Sequence, residues 1–113
     1  MSEGLPIIEA CYRLYKQFYA LQAKMAKERR YSIGVSTEAT ILNLIEQLCL
    51  AQTAPKLHKR AYLQRASAQL DILRLKLRLC LELKVANETR LFQYQAICSD
   101  IGRMLGGWLK SIQ

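Results

Sequence analysis

Apolar residues recur at steps of three and four along most of the chain, in segments separated by a few breaker residues. This spacing is typical of amphipathic helices. Pro6 and Pro55 each suit the first turn of a helix, and Asn87 followed by Glu88 suits a helix start. The pattern therefore predicts four helices, over residues 6–27, 36–53, 56–86 and 88–112.

The connections between these helices are short. We expect residues 28–34 to form a polar connection, with Ser36 or Thr37 capping the second helix. Short connections place consecutive helices antiparallel. The predicted fold class is therefore all-α, an antiparallel up-down four-helix bundle formed by one domain over residues 1–113.

Three of the helices carry one apolar series that is expected to face the core. In the first helix the series is Ile8, Cys11, Tyr12, Tyr15, Phe18, Tyr19, Met25 and Ala26. In the second it is Ile41, Leu42, Ile45, Leu48 and Cys49. In the fourth it is Leu91, Tyr94, Ile97, Cys98, Ile101, Met104, Leu105, Trp108 and Ile112.

The third helix carries two apolar series. The first is Leu63, Ala66, Leu70, Leu73, Leu77 and Cys80, and the second is Ile72, Leu75, Leu79 and Leu83. At about 100° per residue the two series lie roughly opposite each other. A helix at the edge of a bundle needs one apolar face, so the second series predicts a homo-oligomer interface. The alternative is that the first or fourth helix wraps far enough to cover both series.

Composition narrows the class of protein. The 113 residues are 51% hydrophobic and 23% charged, as in a globular domain, and only 2 Pro and 5 Gly disfavour an all-β fold. No apolar run reaches the length of a membrane span. The four cysteines form no Cys-x-x-Cys pair, so we expect reduced thiols in a cytoplasmic protein rather than a zinc site or a disulfide framework.

Positive charge is concentrated in the second half of the chain. The net charge is +8 overall, and residues 55–113 hold 11 basic and 4 acidic side chains. Such clustering favours a phosphate backbone as partner, bound with strong salt dependence. The alternative is a solvated face that serves only solubility. The candidate nucleic-acid or polymerase contacts are Lys56, Lys59, Arg60, Arg65, Arg74, Lys76, Arg78, Arg29 and Arg30, and Tyr31 and Tyr62 are candidates either for base stacking or for packing.

No constellation of residues points to catalysis. His58 lies in a basic stretch without carboxylate partners, and no phosphate-binding loop or dinucleotide motif occurs. We therefore predict no catalytic residue, no metal, no cofactor and no small-molecule substrate. Gly102, Gly106 and Gly107 lie inside the fourth helix, where we expect them to allow close approach of another helix.

Two stretches resemble known families. Residues 30–34, followed by Glu38, Leu42 and Glu46, resemble the start of the second helix in four-helix-bundle proteins related to the rRNA intervening-sequence family. Residues 101–110, Ile-Gly-Arg-Met-Leu-Gly-Gly-Trp-Leu-Lys, resemble the C-terminal helix of the accessory variability determinant (Avd) family of diversity-generating retroelements. The resemblance extends from Leu5 to Ile112.

The Avd resemblance implies a non-catalytic accessory protein that assembles as a pentameric, barrel-like homo-oligomer. It further implies binding to a reverse transcriptase and to template RNA or DNA, in support of mutagenic cDNA synthesis and retrohoming. The alternative is an intervening-sequence-type bundle with an RNA-binding or adaptor role. The family motifs are mostly packing residues, so they assign no binding residue directly.

Overall fold

The computed structural model describes residues 4–112, and these residues form helices and turns without a strand. The elements are α1 (Gly4–Gln22), α2 (Lys27–Arg29), a π-helical turn (Arg30–Gly34), α3 (Val35–Thr53), α4 (Lys56–Glu82) and α5 (Glu88–Ser111). The short α2, the π-helical turn and α3 follow one another without a break, so the chain has four long helical segments. α1 and α4 each pack against both α3 and α5, which confirms the four-helix bundle.

The core of α4 and α5 follows the predicted series closely. All six residues of the first series of α4, from Leu63 to Cys80, are buried. In α5 six of the nine predicted residues are buried, and Ile97, Met104 and Ile112 pack half-buried against them. The regular spacing of three and four was sufficient to identify both inner faces.

The predicted inner face of α1 is wrong in part. Tyr12 and Tyr19 are exposed, and the buried positions next to Cys11 and Phe18 are Ile7, Leu14 and Leu21 instead. The tyrosines repeat at helical spacing on the neighbouring face, and their hydroxyl groups suit the solvent boundary. α1 also ends at Gln22 rather than near Lys27, in a turn closed by buried Met25.

The predicted polar connection over residues 28–34 is wrong, because these residues are helical. Ser36 and Thr37 are consequently not helix caps. Thr37 is buried and its Oγ1 donates to the carbonyl of Ile33, 2.7 Å away. At Gly34 the turn passes so close to its neighbours that an added Cβ would lie 3.2 Å from Met25 Sδ and from the Arg29 carbonyl oxygen.

The inner face of α3 is shifted by a few positions from the prediction. Ile41 and Leu48 are buried as expected, but Leu42 and Cys49 are exposed. Other positions replace them in the core, and these are Thr37, Thr40, Leu44 and Ala51.

The turn between α4 and α5 has a specific backbone geometry. α4 ends at Glu82, four residues before the predicted end at Ala86. The Lys84 amide donates to the Leu81 carbonyl and the Val85 amide to the Cys80 carbonyl, which is the Schellman arrangement. Lys84 adopts φ 55°, the left-handed region that favours glycine.

The two ends of α5 differ in how well they are stabilised. At its start the Asn87 side chain accepts a hydrogen bond from the Arg90 amide at 2.9 Å, which confirms the predicted cap. Near its end Gly106 and Gly107 have no neighbour among residues 4–112 within reach of an added Cβ, and at Gly102 such a Cβ would lie an ordinary 3.6 Å from Leu70, so the close helix approach expected there is not seen. The following residue, Trp108, is buried with its ring against Gly4.

Within residues 4–112, no helix is both long and apolar enough to cross a membrane. The four cysteines are free thiols, and Cys11, Cys80 and Cys98 are buried whereas Cys49 is exposed. Burial raises the pKa of Cys11 to about 12 and that of Cys98 to about 11.

Candidate nucleic-acid and assembly interface

The outer side of α4 is an apolar surface that its own bundle leaves uncovered. We call Ile72, Leu75, Leu79 and Leu83 the outer series; their side chains are 40%, 57%, 39% and 55% exposed. Neither α1 nor α5 covers them, which rules out the wrapping alternative for this protomer. Leu57, at the start of α4, is 87% exposed. Large aliphatic side chains are therefore exposed at the first turn of α4 and again over its second half.

Two of the predicted basic residues of α4 hold the bundle together. Lys59 Nζ donates to the carbonyls of Ala51 and Gln52, at 2.7 and 3.0 Å, at the C-terminal end of α3. Lys76 Nζ donates to Thr40 Oγ1 at 2.7 Å and to the Ser36 carbonyl at 3.2 Å. Both ammonium groups are part-buried between α3 and α4, so part of their hydrogen-bonding capacity is already used.

Three other predicted residues have partners on the surface. Arg74 donates to Ser99 Oγ at 3.1 Å on α5. Arg78 forms an exposed ion pair with Glu82 at 3.0 Å, which cancels its charge locally. Arg65 lies 5.5 Å from the ring of Tyr62, and that ring is itself half-buried against the core. Tyr62 is therefore a packing residue in this protomer.

Lys56 and Arg60 are the predicted α4 contacts that have no hydrogen bond, ion pair or aromatic ring contact with the described part of the chain. Together with Leu57 and Ile112 they line an open depression of about 570 Å³ at one end of the bundle. The first turn of α4 contains no acidic residue, and the positive end of the helix dipole adds to the charge of these side chains. This end of the bundle is suited to bind an anion.

Arg29 and Arg30 lie at the opposite end of the bundle. Arg29 is exposed beside a cavity of about 430 Å³ that also touches Ser32, Ser36 and Leu83. Arg30 is partly buried: its Nη2 donates to the Met25 carbonyl at 3.2 Å, and its guanidinium lies 5.9 Å from the Tyr31 ring. The nine predicted residues thus form no single stripe. They form a basic region at each end of the bundle, and the predicted side chains between these two regions already contact other groups of the chain.

Glu38, which lines the same cavity as Arg30, is a hydrogen-bonded carboxylate that the sequence pattern did not indicate. Tyr15 donates its hydroxyl to Glu38 Oε2 at 2.6 Å, and this bond is the main reason that the pKa of Tyr15 is raised to about 12. Gln22 adds a second contact when its amide nitrogen donates to Glu38 Oε1 at 3.1 Å and its oxygen accepts from the Val35 amide at 3.2 Å. No local pattern in the sequence indicates this contact, because Tyr15 and Glu38 are 23 positions apart.

The described residues offer charge and apolar surface for binding. No three His, Cys, Asp or Glu side chains among residues 4–112 lie close enough to hold a metal ion. His58 is exposed, and the raised pKa values of the buried thiols keep them protonated at neutral pH.

Comparison with known proteins adds one finding. The chain matches the model of a family described as bAvd-like, over residues 6–112. A search of curated proteins returned no match. The matched segment includes all four long helices, and it agrees with the Avd resemblance of residues 101–110.

Proposed function

Because the chain belongs to the bAvd-like family, we propose that it is an accessory protein of a diversity-generating retroelement. In this role it binds the reverse transcriptase and the template RNA or DNA, and it supports mutagenic cDNA synthesis and retrohoming. The observation that carries the proposal is the family match over residues 6–112, in a chain with a net charge of +8. The protein contributes binding, and the chemistry belongs to the polymerase.

The nucleic-acid role is supported by the placement of charge. Lys56 and Arg60 point no hydrogen bond at the described chain and sit at the positive end of α4. Side chains of this kind bind phosphates and release the counterions condensed on the nucleic acid. At higher salt concentration this release gains less entropy, so the binding becomes weaker. We therefore assign the phosphate contacts first to this end of the bundle and second to the region of Arg29 and Arg30.

Charge reversal tests this assignment. Arg60→Glu should weaken binding of a labelled RNA strand and reduce the slope of log affinity against log salt by about 1 to 2, because a contact is lost and a repulsion is added. The control is Lys16→Glu on α1, where the ammonium lies 4.9 Å from the Tyr12 ring. Equal losses in both variants would show that only net charge matters.

Homo-oligomer formation is supported by the outer series. Four aliphatic side chains exposed along one helix form a patch that a soluble monomer rarely leaves in water. We propose that a second copy covers them and that the copies close into a pentameric barrel. Leu79→Glu should dissociate the assembly, since a buried unpaired carboxylate costs several kcal/mol.

The mass of this variant in sedimentation decides the point. Phe92→Glu is the control, because Phe92 is also an exposed apolar side chain, 56% against 39% for Leu79, and lies on α5. An assembly that survives Leu79→Glu but not Phe92→Glu would move the interface to α5. A wild-type protein of protomer mass at micromolar concentration would remove the oligomer altogether.

The polymerase distinguishes the leading proposal from the intervening-sequence alternative. Co-purification of the chain with a reverse transcriptase, retained after nuclease treatment, is expected for the accessory protein. Retention of ribosomal RNA without any polymerase would favour the alternative, which is supported here only by the resemblance of residues 30–46.

A further inference from the structure

The π-helical turn borders a cavity whose lining contains aromatic rings and a carboxylate as well as a basic side chain. This cavity, of about 320 Å³, lies between the end of α1 and the start of α3, and it is lined by Tyr19, Gln22, Ala23, Arg30, Tyr31 and Val35, with Glu38 at its side. Tyr19 and Tyr31 are 60% and 63% exposed. Two aromatic rings on the wall of one open cavity provide surfaces on which a planar group can stack.

Glu38 supplies a fixed acceptor at the same cavity. Its Oε2 accepts from the Tyr15 hydroxyl at 2.6 Å, and its Oε1 accepts from Gln22 at 3.1 Å in the amide orientation that also lets the Gln22 oxygen accept from the Val35 amide. A carboxylate has about four acceptor positions, so each oxygen can accept a further hydrogen bond. A ligand with two adjacent N–H donors matches this geometry best.

Arg30 supplies a cation that is only partly satisfied by the described chain. Its Nε is buried without an acceptor, while Nη2 is bonded to the Met25 carbonyl. Lys24, Lys27 and Arg29 lie within six residues of Arg30 in the sequence, but Lys24 and Arg29 line neighbouring cavities. Arg30 is therefore the cation in the lining of this cavity, and it suits a phosphate attached to the stacked group.

We propose that this cavity binds an unstacked nucleobase of a single strand, with guanine preferred. The ring stacks against Tyr19 and Tyr31, and the strand's phosphate lies beside Arg30. Guanine is preferred because its N1–H and N2–H donors lie side by side, facing a carboxylate such as that of Glu38. The inference deepens the proposed nucleic-acid role and rests on it, since it names the part of the strand that is recognised.

Free ligands test the cavity independently of strand binding. In saturation-transfer difference NMR, guanosine 5′-monophosphate should show transfer to its base proton H8, and uridine 5′-monophosphate should show weaker transfer. Ribose 5-phosphate carries the charge without the base, and it should show none at equal concentration. Equal transfer to all three compounds would mean that only phosphate is bound and would overturn the proposal.

Strand binding provides the second test. Tyr31→Ala and Tyr19→Ala should each weaken binding of a 12-nucleotide single strand about tenfold, in the range of base stacking on aromatic residues. Binding of a 12-base-pair duplex should not change, because its bases remain stacked. Tyr12→Ala is the control, because Tyr12 is an exposed tyrosine outside the cavity, and it should change neither.

The two proposals fail in different ways. If the wild-type protein binds neither strand nor duplex, the nucleic-acid role fails, whatever the mononucleotides show. If strand binding is normal in both tyrosine variants, the phosphate surface stands and the base site is overturned. A change of mass in Tyr31→Ala would overturn it as well, since the cavity would then be an interface between copies. Unchanged thermal unfolding confirms that each variant is folded.

Discussion

The two sides of α4 are built from the same kinds of residue but have different surroundings. The inner series, from Leu63 to Cys80, is enclosed by α3 and α5, whereas the outer series of Ile72, Leu75, Leu79 and Leu83 has no cover within the protomer. A leucine at helical spacing is therefore evidence of burial but not of what buries it. The inner side determines the fold of one chain, and the outer side is available to a second.

The largest expected effect separates the two sides directly. Leu73→Ala on the inner side should lower the free energy of unfolding by about 2–5 kcal/mol, because the fully buried side chain leaves a cavity. Leu75→Ala on the outer side should lower it by less than about 0.5 kcal/mol in a dissociated protomer. Urea unfolding of both in the Leu79→Glu background measures the difference. Equal losses would show that the outer series also packs within the chain.

A second, smaller effect extends the comparison to the charged side chains of α4. Lys76→Ala should cost about 1–2 kcal/mol of stability, since it removes hydrogen bonds to Ser36 and Thr40 in a part-buried site. Arg60→Ala should leave stability within about 0.5 kcal/mol and weaken RNA binding instead. The two variants are compared by urea unfolding and by RNA titration. A stable Lys76→Ala protein that loses RNA would assign Lys76 to binding.

The end of α4 provides a change of opposite sign. Lys84→Gly should raise the free energy of unfolding by about 1 kcal/mol, because a side chain is disfavoured at φ 55°. The control is Lys110→Gly in the last turn of α5, which removes the same charge but should lower stability by about 0.5 kcal/mol, since glycine is a poor helix former and the positive charge suits this helix end. Thermal unfolding of the two variants should therefore move in opposite directions. A fall in both would mean that the Lys84 side chain has a stabilising contact.

The thiols give an effect that vanishes at neutral pH. The folded pKa values of Cys11 and Cys98, about 12 and 11, lie above the ordinary value of 9.0, and that of Cys80 is also raised, chiefly through burial. A raised folded pKa means that stability is fully present below pH 9 and falls as pH rises toward the folded values. The urea midpoint should be constant between pH 7 and 8.5 and decrease above about pH 9.

Thiol labelling checks the same prediction without changing the pH. In the folded protein at pH 8, a disulfide reagent should modify Cys49 quickly and the other three thiols only on unfolding. Rapid labelling of Cys80 would show that the inner side of α4 opens in solution.

The parts of the fold that were predicted correctly from the sequence depend on patterns within a single helix, either a long regular spacing or a capping residue. The inner series of α4 and the Asn87 cap are local patterns, so the residues themselves determine them. The inner face of α1 was misassigned because Tyr12 and Tyr19 count as apolar in a pattern although their rings can end in water. The helix over residues 27–34 was missed because this segment is rich in charged residues and has no continuous apolar face. The close packing at Gly34 could not be predicted either, because it depends on the position of the neighbouring turn.

The candidate site was harder to predict than the fold, for a physical reason. Whether Lys59 or Lys76 is available to a partner depends on carbonyl groups of α3 that only the folded chain brings within 3.2 Å. Sequence spacing gives the face of a helix but not the distance to the next one. The Tyr15–Glu38 hydrogen bond joins residues 23 positions apart, and no local pattern reveals such a pair.

Trp108 is the one tryptophan in the chain, and its ring lies against Gly4, where the first turn of α1 meets the last turns of α5. Just before it, Gly106 and Gly107 weaken the helix without any contact to compensate. The protein thus contains an intrinsic fluorophore at the point where hydrogen exchange should be fastest among the core segments. If its fluorescence emission shifts to longer wavelength during unfolding before the helical circular dichroism is lost, the first turn of α1 separates from the last turns of α5 before the helices unfold.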